Sequence, residues 1–136
     1  MQKRQDELIA AAREVRRQSY SPYSKFRVGA ALLASNGTVY TGTNVENASF
    51  GLSICAERSA LFQAVAAGVR EFDAIAIYAD GTEPTPPCGA CRQVLLEFAP
   101  KLTIWLAAAN SAVEELTLDT LLARPFFCFQ PNETED

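Results

Sequence analysis

Two short stretches do most to restrict what this chain can become: Cys55-Ala56-Glu57-Arg58 and, further on, Pro87-Cys88-Gly89-Ala90-Cys91. Read together they describe one metal site. Three thiolates would hold an ion and leave its fourth position open, whereas a structural zinc is closed by four protein ligands. The carboxylate of Glu57 follows the first thiolate too closely to join it as a ligand, yet sits beside the open position. The chain contains no histidine, so thiolates and carboxylates are the ligand types available. A trio of thiolates suits zinc, and also iron.

The spacing has a physical reading. Cys88 and Cys91 are three apart, so a helix beginning at Cys88 places them on one face, about 5–6 Å apart at Cβ. Arg92 to Phe98 supplies good helix formers and Pro100 a stop. Cys55 opens a second helix that runs to Gly68 as its left-handed terminator. All three sulfurs therefore lie at helix N-termini, where unpaired N–H groups and roughly half a positive charge lower thiol pKa values. Three thiolates outweigh a dication, so ionising a bound water is opposed unless positive charge stands nearby. Arg58 is expected to donate to the sulfurs and supply it. A solvated surface charge is the plainer alternative for Arg58.

At 136 residues the chain is read as one domain, 1–136, since a chain of this size buries roughly two-thirds of its unfolded surface. Twelve basic residues face 16 acidic ones, a net charge of −4, which offers no positive field for long nucleic acid. Met1 to Arg17 is a charged helical pattern rather than a signal peptide, and no apolar run reaches eighteen residues. A cytoplasmic protein with no membrane partner is the expectation. Four cysteines without export signals point to metal or redox chemistry rather than disulfides. Cys128, among Phe126, Phe127 and Phe129, reads as a free thiol at least partly buried.

In chain order, Gln2 to Gln18 is an amphipathic helix ended by Tyr20-Ser21-Pro22-Tyr23-Ser24. Phe26 to Ala34 and Thr38 to Asn44 form an antiparallel hairpin through Ser35-Asn36-Gly37. The first strand is apolar on both faces, as a central strand between helices must be. Val45 to Ile54 is a loop that carries polar groups to the first cysteine. Phe72 to Ala79 and Leu102 to Ala109 are strands on either side of the Cys88 helix, which implies parallel pairing through a right-handed crossover. Strand, loop and helix N-terminus is where open α/β sheets place their sites. Thr117 is expected to cap a last short helix containing Leu118, Leu121 and Leu122, before a frayed acidic tail at about 130–136.

Cys55-Ala56-Glu57 with Pro87-Cys88-Gly89-Ala90-Cys91 resembles the zinc nucleoside deaminase signature. Tyr20 to Ala31 and Gly42 to Ala48 are similar to the small, homotetrameric cytidine deaminases of the three-cysteine type. The likeness is close over about residues 19 to 100. It implies a three-layer α/β/α sandwich around a mixed, mostly five-stranded sheet, with an antiparallel N-terminal hairpin followed by parallel strands. It implies one Zn²⁺ per chain on Cys55, Cys88 and Cys91, and pyrimidine salvage by hydrolytic deamination of cytidine and 2′-deoxycytidine. Glu57 would take a proton from zinc-bound water, pass it to N3 of the base, and later help protonate the leaving ammonia at C4. Asn44 and Glu46 would hydrogen-bond the ribose 3′-hydroxyl, Phe26 would pack on the nucleoside, and the backbone of Ala56 would meet the base. Phe50 and Phe126 match aromatic positions through which neighbouring subunits complete the pocket; Phe50 departs from the tyrosine of some relatives and can offer packing only.

Rival readings remain. A blasticidin-S-type deaminase shares the zinc motifs but takes a larger cytosine nucleoside. A cytosine editor of nucleic acid fits poorly with the negative charge. A thiol redox protein built on Cys88 and Cys91 leaves Cys55 and Glu57 without work, and a catalytically inert zinc module would tolerate Glu57→Gln. A structural zinc closed by Cys128 is a further alternative.

Overall fold

The computed structural model describes residues 2–126. Its elements in chain order are α1 (Gln2–Val15), β1 (Val28–Ala34), β2 (Val39–Thr43), α2 (Ala56–Ala66), β3 (Phe72–Ala79), α3 (Gly89–Leu96), β4 (Thr103–Ala108), β5 (Glu114–Thr117) and α4 (Leu118–Leu121). A 3-10 turn, Arg16–Gln18, continues α1 to the residue where the sequence pattern ends it. The sheet order is β2-β1-β3-β4-β5. Strands β3 and β4 pair in parallel, while β1 is antiparallel to both β2 and β3, and β5 is antiparallel to β4.

Period-two alternation along β1 divides its side chains between two layers. Ala31 and Leu33 face α1, packing with Leu8, Ala12, Ala74, Ala76, Tyr78 and Trp105. Ala30 and Leu32 face α2 and α3, where Ala56, Ala60, Leu61, Ala64, Leu95 and Leu96 meet Ile75, Ile77, Ile104 and Leu106. The result is the three-layer α/β/α arrangement. One glycine sets how close the site-bearing helix comes. A Cβ at Gly42 would collide with the backbone of Ala60 and with the carbonyl oxygen of Ala56, so α2 rests directly on β2.

Three hairpin residues, 35–37, separate Ala34 from Thr38, whose carbonyl accepts the Ala34 N–H at 2.8 Å. Gly37 N–H donates to the Ala34 carbonyl at 2.9 Å, and Gly37 has φ 94°, the conformation that a type I turn followed by a left-handed residue requires. Gly68, at φ 89°, ends α2 as expected.

Three local differences from the sequence reading have physical reasons. The first strand begins at Val28 rather than Phe26, because Lys25 has φ 61° and the side chain of Asn44 takes the place of ladder bonds to Phe26 and Val28. Strand β5 is an added edge strand, held in part by Trp105 Nε1 donating to Glu115 at 2.8 Å. Thr117 does precede α4 but makes no side-chain cap; the Leu118 N–H donates instead to the Leu102 carbonyl at 2.9 Å. Among the described residues no helix is long and apolar enough to cross a membrane. Phe127, Cys128, Phe129 and the acidic tail lie outside the described residues.

Candidate functional site

Cys55 occupies the N-cap position of α2 and Cys88 that of α3, with Cys91 in the first turn of α3. The three Sγ atoms lie within 4.8 Å of one another, and Cys55 and Cys88 are 3.5 Å apart. Zinc–sulfur bonds of about 2.3 Å in a tetrahedron separate sulfurs by roughly 3.8 Å, so the donor set fits zinc by chemistry and by spacing. Cys91 N–H donates to Cys88 Sγ at 3.4 Å, which is the helix-end amide contact that favours a thiolate.

Arg58 Nη2 lies 3.6 Å from Cys55 Sγ, and its Nε is buried with no hydrogen-bond partner among the described residues. The Cys55 thiol is pushed down to about 5, chiefly by a hydrogen bond from Cys91 and secondarily by Arg58, against the opposing effect of burial. Cys91 is pushed up, by donating to Cys55 and by its own burial.

Glu57 is 5% exposed and the sole buried charged side chain among the described residues. Burial pushes its carboxyl up to about 7, the Cys55 charge adds to this, and Arg58 opposes it. A carboxyl poised near neutrality can both take and give a proton.

Cys55, Cys88, Ala56, Glu57, Phe26, Asn44 and Glu46 all line one cavity of about 240 Å³. Drug-sized sites run from about 300 to 1,000 Å³, so this one takes a small molecule. Phe26 is 36% exposed at its wall. Asn44 Oδ1 accepts from Ser19 Oγ and from Val28 N–H, and its Nδ2 donates to the Phe26 carbonyl, leaving one amide hydrogen uncommitted among the described residues. Glu46 accepts from the backbone N–H groups of Tyr23 and Ser24 and from the Ser24 hydroxyl, and the Ser24 bond leads the effects that lower its pKa.

Phe50 and Phe126 stand apart from that cavity. Phe50 is 74% exposed, meets Tyr23 edge to face at 5.9 Å, and lines a neighbouring hollow of about 370 Å³ that shares Ser24 and Glu46 with the first. Phe126 is 70% exposed, and its carbonyl accepts from Gln93. Ser24 and Thr85 also line the 240 Å³ cavity and were not singled out from sequence. Thr85 lies in the loop between β3 and α3, so the rule that ligands bind beyond the carboxyl ends of such strands would have found it.

A family model described as the cytidine and deoxycytidylate deaminase zinc-binding region matches residues 2–107. The chain is 48% identical over 122 residues to the cytidine deaminase of Sporosarcina psychrophila, covering 89% of this chain and 90% of that protein. It is similar to the crystal structure of cytidine deaminase from Burkholderia pseudomallei, with TM-score 0.86 and 48% identity over 89% of this chain and 98% of that one. Blasticidin-S deaminase of Bacillus cereus is more distant, at 28% identity over 124 residues, 85% of this chain and 87% of that protein.

Proposed function

The chain belongs to the cytidine and deoxycytidylate deaminase zinc-binding family, and from that premise we propose which of its residues carry out the reaction. That reaction is the hydrolytic deamination of cytidine and 2′-deoxycytidine to the uridines, with release of ammonia. One Zn²⁺ per chain, held by the three cysteines, would supply Lewis acidity and draw the pKa of water toward neutrality.

Cys55, Cys88 and Cys91 hold the metal. Arg58 and the two helix N-termini offset the charge of the thiolates. Glu57 accepts a proton from water as the water oxygen bonds to C4 and delivers it to N3 of the base. It then takes the remaining proton of the new C4 hydroxyl and gives it to the amine as the C4–N bond breaks, leaving the C4 carbonyl and ammonia. Phe26 packs on the nucleoside, Ala56 offers its backbone to the base, and Asn44 and Glu46 hold the ribose 3′-hydroxyl. The observation that carries this reading is the buried carboxyl of Glu57 in one cavity with Cys55 and Cys88. The 48% identity to the cytidine deaminase of Sporosarcina psychrophila, against 28% to the blasticidin-S enzyme, supports the plain nucleoside as substrate.

The finer setting is proposed on the same footing. Residues 1–136 act as one catalytic domain in cytoplasmic pyrimidine salvage, assembled as a homotetramer. Exposed Tyr23 and Phe50, which line the neighbouring hollow, together with exposed Val45, Leu52 and Phe126, support an assembly in which neighbours supply Phe50 and Phe126 to the pocket.

The test follows the ultraviolet absorbance of cytidine with wild type and Glu57→Gln, with zinc measured on both and mass in solution by light scattering. Loss of activity by several orders of magnitude with about one zinc per chain retained is expected. Zinc without turnover of cytidine would move the substrate to a larger cytosine nucleoside. A reducible Cys88–Cys91 disulfide in place of zinc would overturn the reading.

A further inference from the structure

The loop that delivers Cys88 to the metal centre has almost nothing holding its main chain. Three of its residues, Pro84, Pro86 and Pro87, have no N–H to donate. Asp80 N–H donates to the Arg27 carbonyl at 2.9 Å, and the next backbone–backbone hydrogen bond along the chain is from Arg92 N–H to the Cys88 carbonyl at 3.0 Å. Between them, among the described residues, one side chain reaches the backbone of the loop. Arg92 Nε donates to the Pro87 carbonyl at 2.8 Å.

The same guanidinium also reaches across the fold. Arg92 Nη1 donates to the Leu121 carbonyl at 2.7 Å, at the C-terminal end of α4 where helical carbonyls lack intrahelical partners. Among the described residues Arg92 forms no ion pair, so carbonyl oxygens are what it binds. Pro87 is buried, its peptide leads directly into Cys88, and Arg92 itself follows Cys91.

We propose that Arg92 is the positioning residue of the metal centre, its planar fork pinning the Pro87 peptide, and with it the Cys88 sulfur, to the end of α4. An arginine can do this and a lysine cannot do it fully, because two carbonyls in different segments need two donors at a fixed separation. Without the fork, Cys88 hangs on a proline-rich loop whose remaining restraint is its own helix, and the metal leaves faster. The inference rests on the reading of Cys55, Cys88 and Cys91 as zinc ligands.

The experiment loads purified wild type, Arg92→Ala, Arg92→Lys and Leu8→Ala with zinc and records zinc release to an excess of a chromophoric chelator. Leu8 is buried on the other side of the sheet, so its truncation lowers global stability without touching the loop. Loss of an outer-shell partner costs metal sites about 10–100-fold in affinity. Release at least about tenfold faster from Arg92→Ala is expected, with Arg92→Lys in between and Leu8→Ala close to wild type. Release from Arg92→Ala at the wild-type rate, or matched by Leu8→Ala, would overturn the inference and leave the zinc site standing. If Arg92→Ala yields no folded protein, Arg92→Lys decides: faster release supports the role and a wild-type rate removes it. Wild type that binds no zinc would overturn the ligand reading and this inference with it.

Discussion

Asn44 Nδ2 donates to the Phe26 carbonyl at 2.8 Å, while its Oδ1 accepts the Val28 N–H at 3.0 Å. A side chain thus completes the hydrogen bonding that a strand ladder would have given the segment on which Phe26 is mounted. The residue proposed to meet the sugar is therefore also the one that sets the aromatic wall of the cavity. Asn44→Ala leaves the Val28 donor and the Phe26 acceptor without their partner, a loss of about 1–3 kcal/mol for each group that stays buried. Asn44→Asp keeps the acceptor but sets a second oxygen against the Phe26 carbonyl. Both variants should unfold at lower temperature and show a raised KM for cytidine. Wild-type melting with only KM altered would confine Asn44 to the sugar.

Gly42 predicts a second coupling of fold to site. A Cβ there meets the backbone of Ala60 and Ala56, and backbone cannot swing aside as a side chain can. Gly42→Ala should destabilise by about 1–3 kcal/mol through overpacking. Because the helix it displaces begins at Cys55 and carries Glu57, cytidine turnover should fall as well. Gly89→Ala is the control, since nothing lies within 4 Å of its added Cβ. Equal melting temperatures for Gly42→Ala and Gly89→Ala would refute the close approach.

Parts of this architecture were plain in the sequence, and they share a physical character. Phe72 to Ala79 is an apolar run bounded by a charged turn and Asp80-Gly81, and it becomes a strand with those bounds. Cys55 and Cys88 stand immediately before good helix formers, and each occupies an N-cap position. Local pattern decides such features. What escaped was decided by partners distant in the chain. Glu114-Glu115-Leu116-Thr117 has no apolar face to mark it as a strand, and it forms one because β4 offers an open edge. Phe26 stands just before the apolar run of β1 yet outside its ladder, since the side chain of Asn44 takes the Phe26 carbonyl. Ser24 and Arg92 carry no signal of their own; their importance lies in reaching Glu46 and Pro87.

Arg58 tests the charge argument at the metal centre. Its Nη2 meets Cys55 Sγ, and no carboxylate lies in salt-bridge range of it among the described residues. Arg58→Ala removes positive charge from a cluster of thiolates and should lower kcat for cytidine by about 10–100-fold. Arg58→Lys, which keeps the charge but not the planar donor, should recover part of the loss. Activity of Arg58→Ala within a factor of two of wild type would make the residue an ordinary surface cation.

Asp80 gives the pH dependence of stability. It accepts from Arg16 Nη1 and from Arg27 Nε, both at 2.9 Å, and from the Arg27 N–H at 3.1 Å. Burial acts against its charge, but the hydrogen bonds and charge of Arg27, with the charge of Arg16, outweigh it and hold the carboxyl below its ordinary range. A carboxyl whose pKa is depressed in the folded state stabilises the fold above its unfolded pKa, near 3.9, and that contribution fades as pH falls through the lower folded value. Wild type should therefore melt above Asp80→Asn at pH 7, and the gap should hold down to about pH 5 and then close as the pH falls below about 4. Thermal unfolding of both proteins across that range measures it. Because the triad joins the residue after Phe26 to the end of β3, where the loop to Cys88 begins, Asp80→Asn should also raise KM for cytidine at neutral pH, where the melting gap is full. A melting difference that stays constant from pH 7 to pH 3 would remove the ion triad from the account, and an unchanged KM would restrict it to stability.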